Sequence, residues 1–282
     1  MDNGERNGLL SALPTIVVLT LGFVLPVLFI VYTGFMPQRT FGMTHELTLE
    51  NYRTMIDEGY WRPLLWSMGF ATITTLLCLL IGWPMAKALV RHAGCFATII
   101  STLIAIPVFI AESVRLFGAH LFMMPKGGIF AGSMRAMFGL EMGSILFTPW
   151  ATLVGMIYIY LPFAVFPIVL GLSQVPRDQL EAASDLGASG WQIMREIEVP
   201  IAFPGIIIGC LLVFVLSLGA TGEAAILGGQ SVVVAVQSIE QRFNYAQDWP
   251  LGSALATVLC AITAIVVFPL MRYLDIDRLF RR

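Results

Sequence analysis

Six runs of predominantly apolar residues divide the chain, at about 12–35, 64–90, 96–117, 150–172, 201–222 and 251–273. A helix rises about 1.5 Å per residue, so about 20 apolar residues cross the hydrocarbon core of a bilayer, where an open sheet could not satisfy its backbone. Runs of this length predict an all-α integral membrane protein with six spans, organised as a single transmembrane domain over 1–282. Composition agrees, with 57% of residues hydrophobic and 12% charged, about half the charged fraction of a soluble domain. The opening MDNGERNG mixes Asp2, Glu5 and Arg6, and the run behind it is longer than a signal-peptide core, so it reads as a retained first span. Lys and Arg divide nine to seven in favour of two cytoplasmic termini. The tail RLFRR and the tight turn 87–92 decide the orientation, because charges in short loops count most.

What is missing excludes several functions. A net charge of -2 without basic clusters speaks against nucleic acid. A phosphate-cradling Walker loop needs glycine before lysine, whereas Lys87 follows Ala86 and Lys126 follows Pro125. His45, His92 and His120 are far apart, and no serine stands in a GxSxG elbow. Cys78, Cys210 and Cys260 lie within apolar runs and Cys95 borders one, without CxxC spacing, so they read as small hydrophobes. The chain is expected to be no enzyme and to hold neither metal nor cofactor.

One span carries evident charge, Glu112 and Arg115 in FIAESVRLFGAH. At i,i+3 they share a helix face and can neutralise each other, and a lone charge at mid-bilayer costs roughly 2.5–3.5 kcal/mol on insertion scales. Two readings follow: a neutral pair near the outer end of the third span, or part of the lining of a substrate path.

Between the fourth and fifth runs stands EAASDLGASGWQIMREIEVP, residues 181–200. Pro176 fits a first helical position, and Asp178 and Glu181 fall where a helix dipole favours anions. A short helix over 177–186 is expected, with Leu180, Ala183 and Leu186 on one face and Gly187 as its left-handed terminator. SGWQ at 189–192 matches a capping box. It predicts a second helix through Trp191, Ile193, Met194 and Ile197, ended by Pro200. Neither half can span, and each leaves an apolar stripe uncovered, as a segment lying on the membrane or docking in a partner's groove would.

This segment resembles the EAA loop of permease subunits of binding-protein-dependent ABC importers. Glu181-Ala182-Ala183 is followed after three residues by Gly187 and after nine more by Ile197, with Val199-Pro200 closing the motif where the family has Leu-Pro. The likeness extends to LPFAVFPIVLGLSQVP, to SLGATGEAAILGG and to DWPLGSALATVL. It implies the fold of a type I importer permease, in a bacterial inner membrane surrounded by lipid. It further implies that 174–200 forms a cytoplasmic coupling loop that inserts into an ATPase subunit, with Glu181, Ala182, Ala183, Asp185, Gly187, Ile197 and Pro200 as the coupling residues. The implied partners are two copies of the ATPase, which would hold ATP and Mg, a second and related permease, and an extracytoplasmic binding protein meeting loops 36–63 and 118–149. Glu112, Arg115 and Glu223 are the candidates for the translocation path.

Within this resemblance the chain is most similar to the polyamine branch, the spermidine and putrescine importers. Iron(III), sulfate, opine and phosphonate permeases share the pattern, and mildly acidic outer loops suit a cationic solute. An ion-coupled secondary carrier is the competing class; it calls for inverted repeats and unpaired intramembrane acids. Prolines 26, 84, 107, 162, 167, 204 and 269 fall within spans, and Gly205 and Gly209 form a GxxxG expected to serve helix packing.

Overall fold

A computed structural model of the chain describes residues 12–40, 42, 46–91, 95–124, 128–129, 132–133, 137 and 145–272. The described residues are helical throughout their long elements. Five helices are long and apolar enough to cross a membrane, or six if one sharply bent pair counts as a single span. They divide into two compact units.

In the first unit, α1 (Ala12–Gly34) has its lipid-type face exposed along nearly its full length. Its C-terminal end is held by Asn51 of α2 (Glu50–Asp57), which is fully buried and donates from Nδ2 to the carbonyls of Gly34 (3.0 Å) and Met36 (2.7 Å). Without that amide two buried carbonyls at a helix end would lack donors. The first turns of α11 (Trp249–Arg272) complete the unit, with Thr33 donating to Ser253 at 2.8 Å. Helix α10 (Ala235–Asn244) contributes Arg242, whose guanidinium lies 4.6 Å over the Tyr60 ring.

In the second unit, α3 (Trp61–Arg91) buries Ser67, Phe70, Ala71, Thr74, Cys78, Gly82 and Ala86, a stripe at helical spacing. This stripe lies on α6 (Pro149–Leu172), where Thr74 meets the Met156 sulfur at 3.6 Å. The most extensive contact joins α6 to α8 (Gly190–Leu218). Lipid tails are as apolar as leucine, so packing rather than water expulsion joins spans, and small residues allow it. A Cβ at Gly205 would lie 2.2 Å from the Pro167 carbonyl oxygen, and one at Gly171 2.8 Å from that of Ala202. A Cβ at Gly209 would lie 3.1 Å from the Ala164 carbonyl oxygen, so the GxxxG serves packing as expected. Between α6 and the short α5 (Glu112–Met123) sits α9 (Gly222–Ile226).

Two expectations are corrected. The third span is not one helix over 96–117: α4 (Cys95–Ala105) gives way to a 3-10 turn at Ile106–Phe109, and the chain restarts in α5 at an angle of 107°. Pro107 lies in the tight turn, Ile110 and Ala111 are extended with ψ 136, and Glu112 opens α5 where its charge complements the new N-terminus. Conversely, Pro200 does not stop the helix that begins after Ser189. Helix α8 runs through it, because a π turn at Met194–Glu198 hands the Val199 N–H to the Met194 carbonyl. That wide turn offsets the carbonyl ladder just before the residue with no N–H to give. The same pairing occurs in α1, where a π turn at Thr20–Val24 precedes Pro26. Both chain termini, and with them the expected cytoplasmic placement of 1–11 and 273–282, lie outside the described residues, as do His45, His92 and most of 125–144.

A Gly205→Leu substitution should force apart two backbones and cost about 3 kcal/mol or more, the upper range for overpacking. Gly69→Ala, which meets nothing within 4 Å, should be neutral. Thermal unfolding of detergent-purified protein followed by fluorescence-detected size exclusion checks both; equal midpoints for the two variants would deny the seam its role.

Candidate functional site

The polar segment folds as a helix, a tight turn and a second helix. Helix α7 (Arg177–Asp185) starts after Pro176, which serves as its N-cap residue, and Asp178 lies in the first turn. None of its residues is buried. Gly187 has φ +82, and its N–H donates to the Ser184 carbonyl (2.9 Å) while that of Ala188 donates to Ala183 (3.0 Å). This pair of bonds is the Schellman arrangement, which needs a left-handed residue after the last helical turn. The EAA residues therefore serve the turn itself, since Ala182 and Ala183 supply the carbonyls that accept from the N–H groups of Leu186 and Ala188 and so close it.

The second helix opens on the expected capping box. Ser189 Oγ accepts from the Gln192 N–H at 3.3 Å, and Gln192 Oε1 accepts from the Ser189 N–H at 2.8 Å. Glu181, Ala182, Asp185, Gly187 and Pro200 are exposed, Ala183 and Ile197 half-buried. The apolar residues that the pattern left without cover remain so: Leu186 is 89% exposed and Trp191 67%. They flank the glycine turn, and Ile193 behind them is buried.

One charged residue of this segment has no role in the sequence pattern. Glu198, between Ile197 and Val199, has a side chain only 3% exposed. It accepts from Lys87 Nζ at 2.6 Å and from Arg91 Nη2. The signal for this was faint: an acid at a membrane boundary, and two cations at i,i+4 near the C-terminal end of α3. A cavity of about 570 Å³ adjoins the triad, and its wall includes Arg177, Leu180 and Glu181 of α7.

A second polar group lies among the spans. Glu112 and Arg115 do not neutralise each other; among the described residues Arg115 donates from Nη1 to the Ile159 carbonyl (3.3 Å), and its Nε is buried without a partner. Glu223 on α9 is fully buried, with Glu112, Arg115 and Tyr160 in its electrostatic surroundings. The Tyr160 hydroxyl stands close enough to interact with it, yet among the described residues no donor meets either carboxylate oxygen with hydrogen-bond geometry. The three path candidates are thus brought together, and Tyr160, invisible to sequence reasoning within an apolar run, joins them. The free thiols Cys78, Cys210 and Cys260 take no part.

Residues 78–280 match the family model described as binding-protein-dependent transport system inner membrane component. The chain belongs to that family. It is similar to spermidine/putrescine transport system permease protein PotB of Escherichia coli (strain K12), 32% identical over 250 residues that cover 86% of this chain and 89% of the relative. It is also similar to molybdenum transport system permease protein ModB of Azotobacter vinelandii, 31% identical over 193 residues, covering 66% of this chain and 84% of that one. The fold matches a chain in the crystal structure of a bacterial ABC transporter involved in the import of the acidic polysaccharide alginate, with TM-score 0.70 at 16% identity over 99% of this chain and 98% of the other. This inner-membrane component is accordingly a multi-pass permease subunit of a binding-protein-dependent ABC importer, with a transport role rather than a catalytic one.

Alanine at 187 meets no atom within 4 Å but must hold φ +82, so only backbone strain opposes it, about 1 kcal/mol. Hydrogen exchange at the Ala188 amide should accelerate about five-fold, with exchange in α6 unchanged; equal rates would show that the turn does not depend on glycine.

Proposed function

We propose that this permease forms half of a translocation pathway for a polyamine such as spermidine or putrescine, driven from outside the chain by ATP hydrolysis. In this reading two ATPase subunits carry ATP and Mg, and a second, related permease supplies the other half. An extracytoplasmic binding protein delivers the solute. The exposed Schellman turn with Leu186 and Trp191 uncovered beside it is the observation that carries the reading. It presents a rigid, half-apolar knob of the size a groove on a partner accepts, and its second helix continues without a break into a span. Glu181, Ala182, Ala183, Asp185 and Gly187 form the docking turn, while Ile197 and Pro200 lie on the continuation toward the membrane.

The solute class rests on the likeness to PotB and on charge. Glu112, Arg115 and Glu223 are assigned to the path. Among the described residues the buried Glu223 carboxylate has no well-aligned donor, which is costly unless a proton or a cation compensates it. A polycationic solute supplies such a partner; sulfate, phosphonate or molybdate would not. Iron(III) and opines remain alternatives within the same machinery.

Deleting the gene in its native host should abolish ATP-dependent uptake of radiolabelled spermidine, at least ten-fold, with putrescine competing. Undiminished spermidine uptake would reject the solute class while leaving the machinery intact. For the machinery, tagged protein purified in mild detergent should bring an ATPase and a second permease with it. The Gly187→Asp protein should lose the ATPase alone; retention in full would reject the docking role. Glu223→Gln should lower spermidine transport about ten-fold at equal membrane abundance, and normal transport would remove Glu223 from the path.

A further inference from the structure

The position between Ile197 and Val199 is open in the EAA pattern, and in this chain a buried charge fills it. The Glu198 carboxylate holds Lys87 and Arg91 together. Both cations lie in the last turns of α3, where the helix dipole favours positive charge. The remaining ion pair among the described residues, Arg53 with Asp57, is an exposed i,i+4 contact within α2. Glu198 alone therefore joins two separate spans through charge in the described part of the chain.

Its place in the backbone is equally particular. Glu198 is the last residue of the π turn at Met194–Glu198, midway between the docking turn and the membrane part of α8. Among the described residues α3 and α8 share no extended backbone approach, so the long side chains of Lys87 and Arg91 make the connection. The cavity beside the triad is walled on one side by Arg177, Leu180 and Glu181 of α7 and on another by Lys87 and Arg91 of α3. A displacement of the docking turn thus has two outlets: the glycine seam from α8 to α6, and the Glu198 carboxylate to α3.

We propose that Glu198 is a positioning residue whose two-cation clamp carries movement of the coupling segment to the C-terminal end of α3, so that α3 and α8 shift together. The inference rests on the reading of 177–200 as the ATPase-docking segment and adds to it the element that receives the motion. A wide turn allows α8 to shift its register slightly, and a carboxylate shared by two long cations keeps hold through a shift of about 1–2 Å.

The test uses the whole complex purified from its native membrane into nanodiscs. Spin labels sit at Ala88→Cys on α3 and Leu170→Cys on α6, in a background with the other cysteines replaced, and distances are read by pulsed electron resonance with and without ATP and vanadate. With Glu198 intact, trapping should move the label pair by about 2 Å. Glu198→Gln should keep the ATPase bound while cutting that movement by more than half, and the paired exchange Lys87→Glu with Glu198→Lys should restore it. Full movement in Glu198→Gln, no movement with Glu198 intact, or an assembled exchange variant that fails to restore movement would each overturn the clamp. Failure of both variants to assemble would make Glu198 a staple of the fold and overturn it as well. Gly187→Asp separates the two ideas: if it still binds the ATPase and still moves α3, the docking reading fails, whatever Glu198 does.

Discussion

Helices α6 and α8 meet with so little between them that Gly205 has no room for a methyl group beside the Pro167 carbonyl. In lipid no hydrophobic effect holds two apolar helices together, so close approach and the dispersion it provides must do so. The other features of the second unit take their places from this seam. Helix α3 lays its small-residue stripe on the same stretch of α6, where a Cβ at Gly82 would lie 3.5 Å from the Val165 side chain. The fully buried Met156, Ile159, Val165 and Ile168 belong to the helix that both neighbours share. The glycine turn at 187 is therefore attached to a helix held close against α6, and on the proposed reading a shift at that turn is passed on through the helix rather than absorbed.

Continuity through prolines makes that attachment stiff. A proline inside a regular helix loses one hydrogen bond and clashes with the carbonyl four residues before it, about 3 kcal/mol or more in water, and lipid offers no water to repair the ladder. At Pro26 and Pro200 the chain meets this with a π turn that ends two residues earlier. At Pro107 the helix breaks instead, whereas Pro84, Pro162, Pro167, Pro204 and Pro269 lie within regular helix. The consequence differs with place. The unbroken α8 joins the glycine turn to the seam, whereas the break at 107 lets α5 leave its line and carry Glu112 and Arg115 toward α9.

These differences mark what could be read from residues alone. Long apolar runs mark candidate spans because the bilayer sets their length, and five of the six runs coincide at most ends with helices long and apolar enough to cross a membrane. Gly187 and the Ser189–Gln192 box were legible because their bonds are local, closed within six residues. The break at Pro107 was not, since the six other prolines within spans looked equivalent and all six lie in continuous helix. The start of α8 lay eleven residues ahead of its apolar run because the π turn at Met194–Glu198 carries the helix on through Pro200. Glu112 and Arg115 looked like partners at i,i+3, but α5 begins at Glu112, and the arginine turns to a carbonyl on α6. Glu198 needed Lys87, 111 residues away in sequence, and no periodicity reports a contact of that kind.

The two buried acids of the second unit show how one chemical group serves opposite ends. Taking a carboxylate out of water is costly, and a buried pair recovers the cost only with good geometry. Glu198 has that geometry at rest, and because water still reaches Lys87 and Arg91 its pairing is worth on the order of 1–3 kcal/mol, enough to hold and not enough to freeze. Glu223 lacks it, since among the described residues neither oxygen meets a donor with good geometry. A link that transmits movement must be closed before the movement starts, so its charges are satisfied within the protein. A binding position along a route must instead stand open until cargo comes, and an acid without a partner is the form this takes for a cation. On the proposed reading the contrast between a satisfied and an unsatisfied carboxylate, one on α8 and one on α9, separates the part of the permease that is driven from the part that carries.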